Sequence, residues 1–138
     1  SVSGSTTAGG LNIAEWTLSE NNIDLMILCL GANDMLRGIN PKETKNNLIE
    51  IIKIAKSKNI KVIIAGMIAP TSHGTNYKKS FDKIFKDLSN EYELQLIPFL
   101  LEGVAQKPEF NLSDGMHPND KGTIIISKTL KEAILKNL

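Results

Sequence analysis

Residues 111–120, Asn-Leu-Ser-Asp-Gly-Met-His-Pro-Asn-Asp, hold one of only two histidines in 138 residues. An acid, Asp114, stands three places before His117. At that spacing a carboxylate can accept the imidazole Nδ1–H and stabilise the imidazolium. Nε2 is then left as a base able to take a proton from a hydroxyl and return it to a leaving group. The competing reading is that Asp114 and Gly115 merely form a turn and His117 starts a helix. Two further polar clusters, Gly31-Ala32-Asn33-Asp34 and Pro70-Thr71-Ser72-His73-Gly74, each follow a long apolar run.

Those runs define the elements that must position such groups. The stretches 23–31 and 60–68 are continuously apolar and read as strands covered on both faces, as in parallel sheets. A third, shorter strand is expected at 94–99. Between the first two, Leu48, Ile51, Ile52 and Ala55 fall on one stripe with Lys45, Lys53 and Lys56 largely off it, so 41–57 reads as a helix opened by Pro41. A second helix is expected at about 76–90, with Tyr77, Phe81, Ile84, Phe85 and Leu88 inward, and a last one at about 119–137. Strands alternating with crossover helices indicate an α/β domain. In such sheets ligands gather beyond the carboxyl ends of the strands, where the polar clusters fall. No repeat, low-complexity stretch or linker interrupts the chain, so residues 1–138 read as one domain.

Composition removes several classes of function. Sixteen Lys and Arg against fifteen Asp and Glu leave a net charge of +1, so no broad field favours nucleic acid or an anionic membrane surface. No apolar run is long enough to span a bilayer, and the start, Ser-Val-Ser-Gly-Ser-Thr-Thr-Ala-Gly-Gly, has neither the basic region nor the apolar core of a signal peptide. The single cysteine, Cys29, lies in an apolar run and reads as a buried structural thiol.

Three stretches in order, 1–11 (Ser-Val-Ser-Gly…Thr-Thr-Ala-Gly-Gly-Leu), 30–38 (Leu-Gly-Ala-Asn-Asp-Met-Leu-Arg-Gly) and 114–119 (Asp-Gly-Met-His-Pro-Asn), resemble blocks two, three and five of the SGNH hydrolases, also called the GDSL esterase family. The bacterial thioesterase I, lysophospholipase and arylesterase branch is the most similar, and the likeness extends through the loop at 68–81 and the segment 96–110. The resemblance implies a three-layer α/β/α flavodoxin-like fold that hydrolyses esters or thioesters of small acyl substrates with no metal or other cofactor. It implies His117 as general base, Asp114 as its orienting acid, and an oxyanion hole of the Asn33 side-chain amide and the Gly4 backbone N–H. Asp34 would hold the loop by hydrogen bonds, and His73 would line or lie near the acyl pocket, whose walls would include Met35, Leu36, Ile68 and Pro70. Members of that branch are often periplasmic or secreted.

One block departs from the pattern. The family's nucleophile stands in Gly-Asp-Ser-Leu, and that sequence does not occur in these residues. Ser3 and Ser5 flank Gly4, but neither lies in a Gly-x-Ser-x-Gly elbow, and Ser5 stands where the branch commonly has aspartate. The nucleophile is therefore expected outside this chain, together with a first strand that would sit between the strand ending in Ser1–Gly4 and that of 23–31. Its absence would leave 23–30 as an apolar sheet edge, prone to pair with an N-terminal complementing fragment or with a second copy. Two classes of function follow: a serine ester or thioester hydrolase of which this is the acid–base-bearing part, or a non-catalytic remnant that binds acyl ligands or self-associates. A flavodoxin-type cofactor module is disfavoured by the lack of a phosphate-cradling glycine loop.

Overall fold

The computed structural model describes residues 4–20 and 22–137. They form two compact units, one ending at Pro98 and one running from Phe99. Residues 1–3, read from sequence as the tail of a strand and including the weighed nucleophile Ser3, lie outside the described residues.

The first unit contains a three-stranded parallel sheet, β1 (Leu25–Leu28), β2 (Lys61–Ala65) and β3 (Gln95–Ile97), in the order β1-β2-β3. Leu25 stands opposite Lys61 and Leu28 opposite Ile64, while Ile63 stands opposite Gln95 and Ala65 opposite Ile97. Both connections are helical crossovers, as parallel pairing requires. The first is α3 (Pro41–Ser57), preceded by a five-residue helix, α2 (Ala32–Leu36), and the second is α4 (Thr75–Tyr92). An earlier helix, α1 (Thr7–Thr17), packs against α3. The chain is therefore of the expected α/β class with a parallel sheet.

The helices form where periodicity and caps agree. Asn40 accepts from Lys42 N at 3.0 Å and Pro41 occupies the first turn of α3, whose Leu48, Ile51, Ile52 and Ala55 are all buried. In α4, Phe81, Ile84, Phe85 and Leu88 are buried and Tyr77 is half-buried. Tyr77, Phe81 and Phe85 form a ladder with ring centroids 6.1 and 5.6 Å apart, an aromatic spacing that adds attraction to simple burial. These faces meet Val62 and Ile64 of β2 in one apolar cluster. Ile63 and Ala65, alternating to the opposite face, are also fully buried, so the central strand is dry on both sides as read from sequence.

The strands are shorter than their apolar runs: 25–28 rather than 23–31, 61–65 rather than 60–68, and 95–97 rather than 94–99. A ladder extends only as far as a neighbour supplies partners, whereas apolar composition continues into the loops that line the core. Two expectations need correction for the same reason. The stretch 23–31 is not covered on both faces: Leu25, Met26 and Ile27 are only partly buried. Cys29 is not a buried thiol but an exposed residue. Among the described residues β1 pairs on one side only, with β2. The Cys29 thiol is nonetheless desolvated enough by its apolar surroundings for its pKa to be raised, which keeps it a weak nucleophile.

The second unit contains a short 3₁₀ turn, Pro108–Phe110, and α5 (Asp120–Leu135) packed against it, with Val104 fully buried. Among the described residues no helix is long and apolar enough to cross a membrane.

Leu48 is fully buried, so Leu48→Ala is expected to cost about 2–5 kcal/mol in a urea melt, through lost transfer energy plus the cavity left behind. Exposed Lys53 replaced by Ala should leave the midpoint unmoved. Equal effects of the two substitutions would refute this account of the core.

Candidate active site

His117 sits in a loop closed by its own backbone. Leu112 N donates to His117 O at 2.7 Å, Gly115 N donates to Leu112 O at 2.9 Å, and Asn111 and Pro118 form an antiparallel bridge. Gly115 has φ +69°, a left-handed conformation that glycine adopts without strain. The loop is anchored at both ends by asparagines. Asn111 Nδ2 donates to Val104 O and Lys107 O, at 2.7 and 2.8 Å. Asn119 donates to Glu109 O and Asn111 O, while its Oδ1 accepts from Gly122 N as the N-cap of α5. A Cβ at Gly122 would come within 2.2 Å of the Phe110 carbonyl oxygen, so only glycine lets the helix start this close to the loop.

Within this frame both halves of Asp114 are used. Oδ1 accepts from Met116 N at 2.9 Å and from His117 N at 3.0 Å, and Oδ2 lies 2.6 Å from His117 Nδ1. Turn and dyad are thus the same structure: the backbone bonds of the turn aim the carboxylate at the imidazole. Donation by the His117 backbone, then by its ring, then by the Met116 backbone, holds the Asp114 carboxyl at about 2, below the usual carboxylate range. With Nδ1 committed to Asp114, Nε2 makes no hydrogen bond among the described residues, and the His117 side chain is 66% exposed. An imidazole so held can accept a proton at Nε2 while the carboxylate stabilises the resulting charge.

In the first unit, Asn33 lies in the first turn of α2, beyond the carboxyl end of β1, and its Nδ2 donates to Ser5 O at 3.0 Å. The side-chain amide has a second N–H, which this bond leaves unused. Gly4 is exposed with φ +73°, and its carbonyl lies 3.5 Å from Arg37 Nη2. The structure thus brings Asn33 together with the 4–5 segment, and Asp114 together with His117. The first pair belongs to one compact unit and the second to the other.

Asp34, expected to hold its loop, is 1% exposed and does more than that. Its Oδ1 accepts from Thr7 N at 2.7 Å, and its Oδ2 accepts from the hydroxyls of Thr7, through a short bond, and Thr44, at 2.9 Å. Asn47 Nδ2 donates to Thr7 Oγ1 at 3.1 Å. Sequence reading missed Thr7, Thr44 and Asn47; a buried acid needs donors, but nothing in the local pattern says which residues supply them.

His73 ends the 3₁₀ turn Thr71–His73 and is an exposed loop residue, its ring 5.2 Å from that of Tyr77 and against Gly38. Tyr77 Oη donates to Ile39 O at 2.8 Å, tying the 31–39 loop to the start of α4. Lys78 and Asp82 hold the other loop, with Asp82 Oδ1 accepting from Ala69 N at 2.7 Å and Lys78 Nζ donating to Ala69 O at 2.8 Å. Leu36 and Ile68 present 51% and 49% of their surface to solvent, large apolar side chains left free where an acyl chain was expected to bind.

Two outcomes follow from this geometry. In a ¹³C-detected titration the Asp114 carboxyl should change near pH 2, because the bonds that favour its ionised form are present above the usual carboxylate range and are lost as pH falls through about 2. A midpoint above 4 would mean that the Asp114–His117 contact does not persist in solution. Asp34→Ala, which strands two hydroxyls and a backbone N–H away from water, should cost about 3 kcal/mol or more in chemical unfolding, and a loss under about 1 kcal/mol would show that water replaces the carboxyl.

Residues 1–123 match the GDSL-like Lipase/Acylhydrolase family. The chain is 35% identical to an arylesterase of Vibrio mimicus over 138 residues, all of this chain and 69% of that protein. It is 33% identical over 119 residues to thioesterase 1/protease 1/lysophospholipase L1 of Escherichia coli strain K12, 86% of this chain and 57% of that one. Among solved structures, an SGNH-hydrolase family esterase, AlinE4, superposes with a TM-score of 0.79 at 36% identity, covering 99% of this chain and 74% of the other. The chain therefore belongs to the GDSL-like lipase/acylhydrolase family, the SGNH hydrolases.

Proposed function

We propose that these residues form the acid–base-bearing part of a serine hydrolase that cleaves small acyl esters or thioesters, the chemistry named for its arylesterase and thioesterase relatives. The observation that carries this reading is the 2.6 Å contact between Asp114 and His117 Nδ1, which leaves Nε2 without a partner among the described residues. In the proposed reaction a serine hydroxyl attacks the acyl carbon and its proton passes to His117 Nε2. Asp114 stabilises the imidazolium, and the negative charge on the carbonyl oxygen is met by the Asn33 amide and the Gly4 N–H. His117 then returns the proton to the departing alkoxide or thiolate, and water repeats the sequence on the acyl-enzyme. Met35, Leu36, Ile68 and Pro70 are assigned to the acyl chain, with His73 beside them.

The hydroxyl is assigned to a polypeptide segment outside residues 1–138. This follows from the family pattern, in which the serine is carried by Gly-Asp-Ser-Leu, and from the absence of that sequence here. Ser5 donates weakly to the Thr6 carbonyl at 3.4 Å and has no base as partner among the described residues.

The test is hydrolysis of p-nitrophenyl acyl esters and acyl thioesters by residues 1–138 joined to a Gly-Asp-Ser-Leu segment. His117→Ala and Asp114→Asn should each lower turnover by about 10⁴-fold or more, and a fluorophosphonate should label the added serine. Undiminished turnover in His117→Ala would end this reading. Rapid turnover by residues 1–138 alone, with the label on Ser3 or Ser5, would return the nucleophile to this chain.

A further inference from the structure

Three groups close a ring beyond the carboxyl end of β2. Asp82 Oδ1 accepts from Ala69 N at 2.7 Å, Lys78 Nζ donates to Ala69 O at 2.8 Å, and Lys78 Nζ donates to Asp82 Oδ2 at 2.7 Å. Each partner is bonded to the other two, so the backbone N–H and C=O of one loop residue are both taken up by side chains of α4. Helix energetics do not account for this pair. Lys78 lies in the first turn of α4, where the helix dipole disfavours a cation, and that turn carries no acid and no side-chain cap. Lysine preceding an acid by four residues is also the weaker order for such a pair. What the pair does hold is Ala69.

Burial alternates through the held segment: Ile68 is 49% exposed, Ala69 2%, and Pro70 is exposed again. Pro70 is in extended backbone, with φ −67° and ψ 170°. In extended chain alternate side chains share a face, so anchoring Ala69 inward turns Ile68 and Pro70 outward together. The neighbouring Tyr77 donates to Ile39 O at 2.8 Å. The first half of α4 therefore fixes both loops to which acyl contacts are assigned.

We infer that Lys78 and Asp82 are positioning residues for acyl selection: by fixing Ala69 they hold Ile68 and Pro70 as a preformed wall for the acyl chain. The inference rests on the proposed function for the identity of the ligand. A wall held in place beforehand needs no ordering when the ligand arrives, so each methylene laid on it adds to affinity. A wall released from α4 must be ordered by the ligand, and selection between chain lengths weakens. Neither residue is assigned a part in proton transfer or oxyanion binding, so the effect belongs to KM rather than kcat.

The test uses residues 1–138 joined to a Gly-Asp-Ser-Leu segment, assayed on p-nitrophenyl butyrate and octanoate. The kcat/KM ratio of octanoate to butyrate should be about tenfold, from roughly half the transfer energy of the added methylenes against a one-sided wall. Lys78→Met, which keeps the apolar stem, and Asp82→Ala should each bring the ratio below about threefold through KM for octanoate, with kcat within about twofold. Lys79→Met, at the exposed neighbouring position, should leave the ratio at the wild-type value. In residues 1–138 alone, dansylated undecanoate should bind about fivefold more weakly to both clamp variants. The Ala69 amide should exchange with deuterium faster in Asp82→Ala. An unchanged ratio, a loss confined to kcat, unaccelerated exchange at Ala69, or a lowered melting temperature as the sole effect would each overturn the inference. If the joined wild-type chain turns over no ester, the hydrolase reading falls and the clamp is judged by the fatty acid alone. Weaker binding by both variants then supports it, and equal binding, or none by the wild type, overturns it.

Discussion

The carboxyl of Asp34 is where the first unit is tied together. It is nearly inaccessible to water, and its two oxygens take up the first backbone N–H of α1, the hydroxyl of the same residue, Thr7, and the hydroxyl of Thr44 in α3. A buried acid of this kind is costly unless its acceptors are used. Once they are, the three helices that donate or carry it have one relative placement. The next residue back, Asn33, inherits that placement, and so does the 4–7 segment whose Ser5 carbonyl it holds at 3.0 Å. The position of the amide nearest the strand end is therefore decided by a carboxylic acid that need never touch a substrate.

The second constraint is the one-sided pairing of β1. Its residues are as apolar as those of β2, yet β2 is buried over four successive residues and β1 at only one of four. Composition suited to a strand with two neighbours thus stands at the edge of the described sheet. Such edges are ordinarily blunted by charge, proline or a bulge, and Leu25–Leu28 carries none of these.

What was legible in the sequence was what is local. The helices at 41–57 and 76–90 were readable because their apolar stripes recur at helical spacing and Asn40-Pro41 marks a start. The Asp114–His117 dyad was readable because both members sit in one turn. α1 was missed because two glycines at 9 and 10 lower helix propensity, while its cap, Thr6 accepting from Gly9 N, was hidden in a run of small polar residues. Cys29 was misjudged because a continuous apolar run says that a strand is apolar on both faces, not that both edges have neighbours. The partners of Asp34 were invisible because they stand 27 and 10 residues away in sequence. Only the folded chain decides which hydroxyls reach a buried acid.

These two kinds of legibility separate the proposed catalytic groups by what sustains them. The base and its orienting acid draw their geometry from residues 111–119, a loop closed by its own backbone bonds and pinned by Asn111 and Asn119. The sheet contributes none of those bonds. The Asn33 amide, in contrast, lies just past the end of β1 and borders a groove along that strand's open edge. Its direction therefore depends on a strand with one neighbour and on a buried acid linking three helices. Proton transfer tolerates an exposed imidazole, since the accepting nitrogen needs only to come within hydrogen-bond reach of a hydroxyl. Stabilising an oxyanion does not, because its benefit lies in donors fixed before the charge develops. The more demanding task thus falls to the amide that a buried acid, Asp34, helps to set in place.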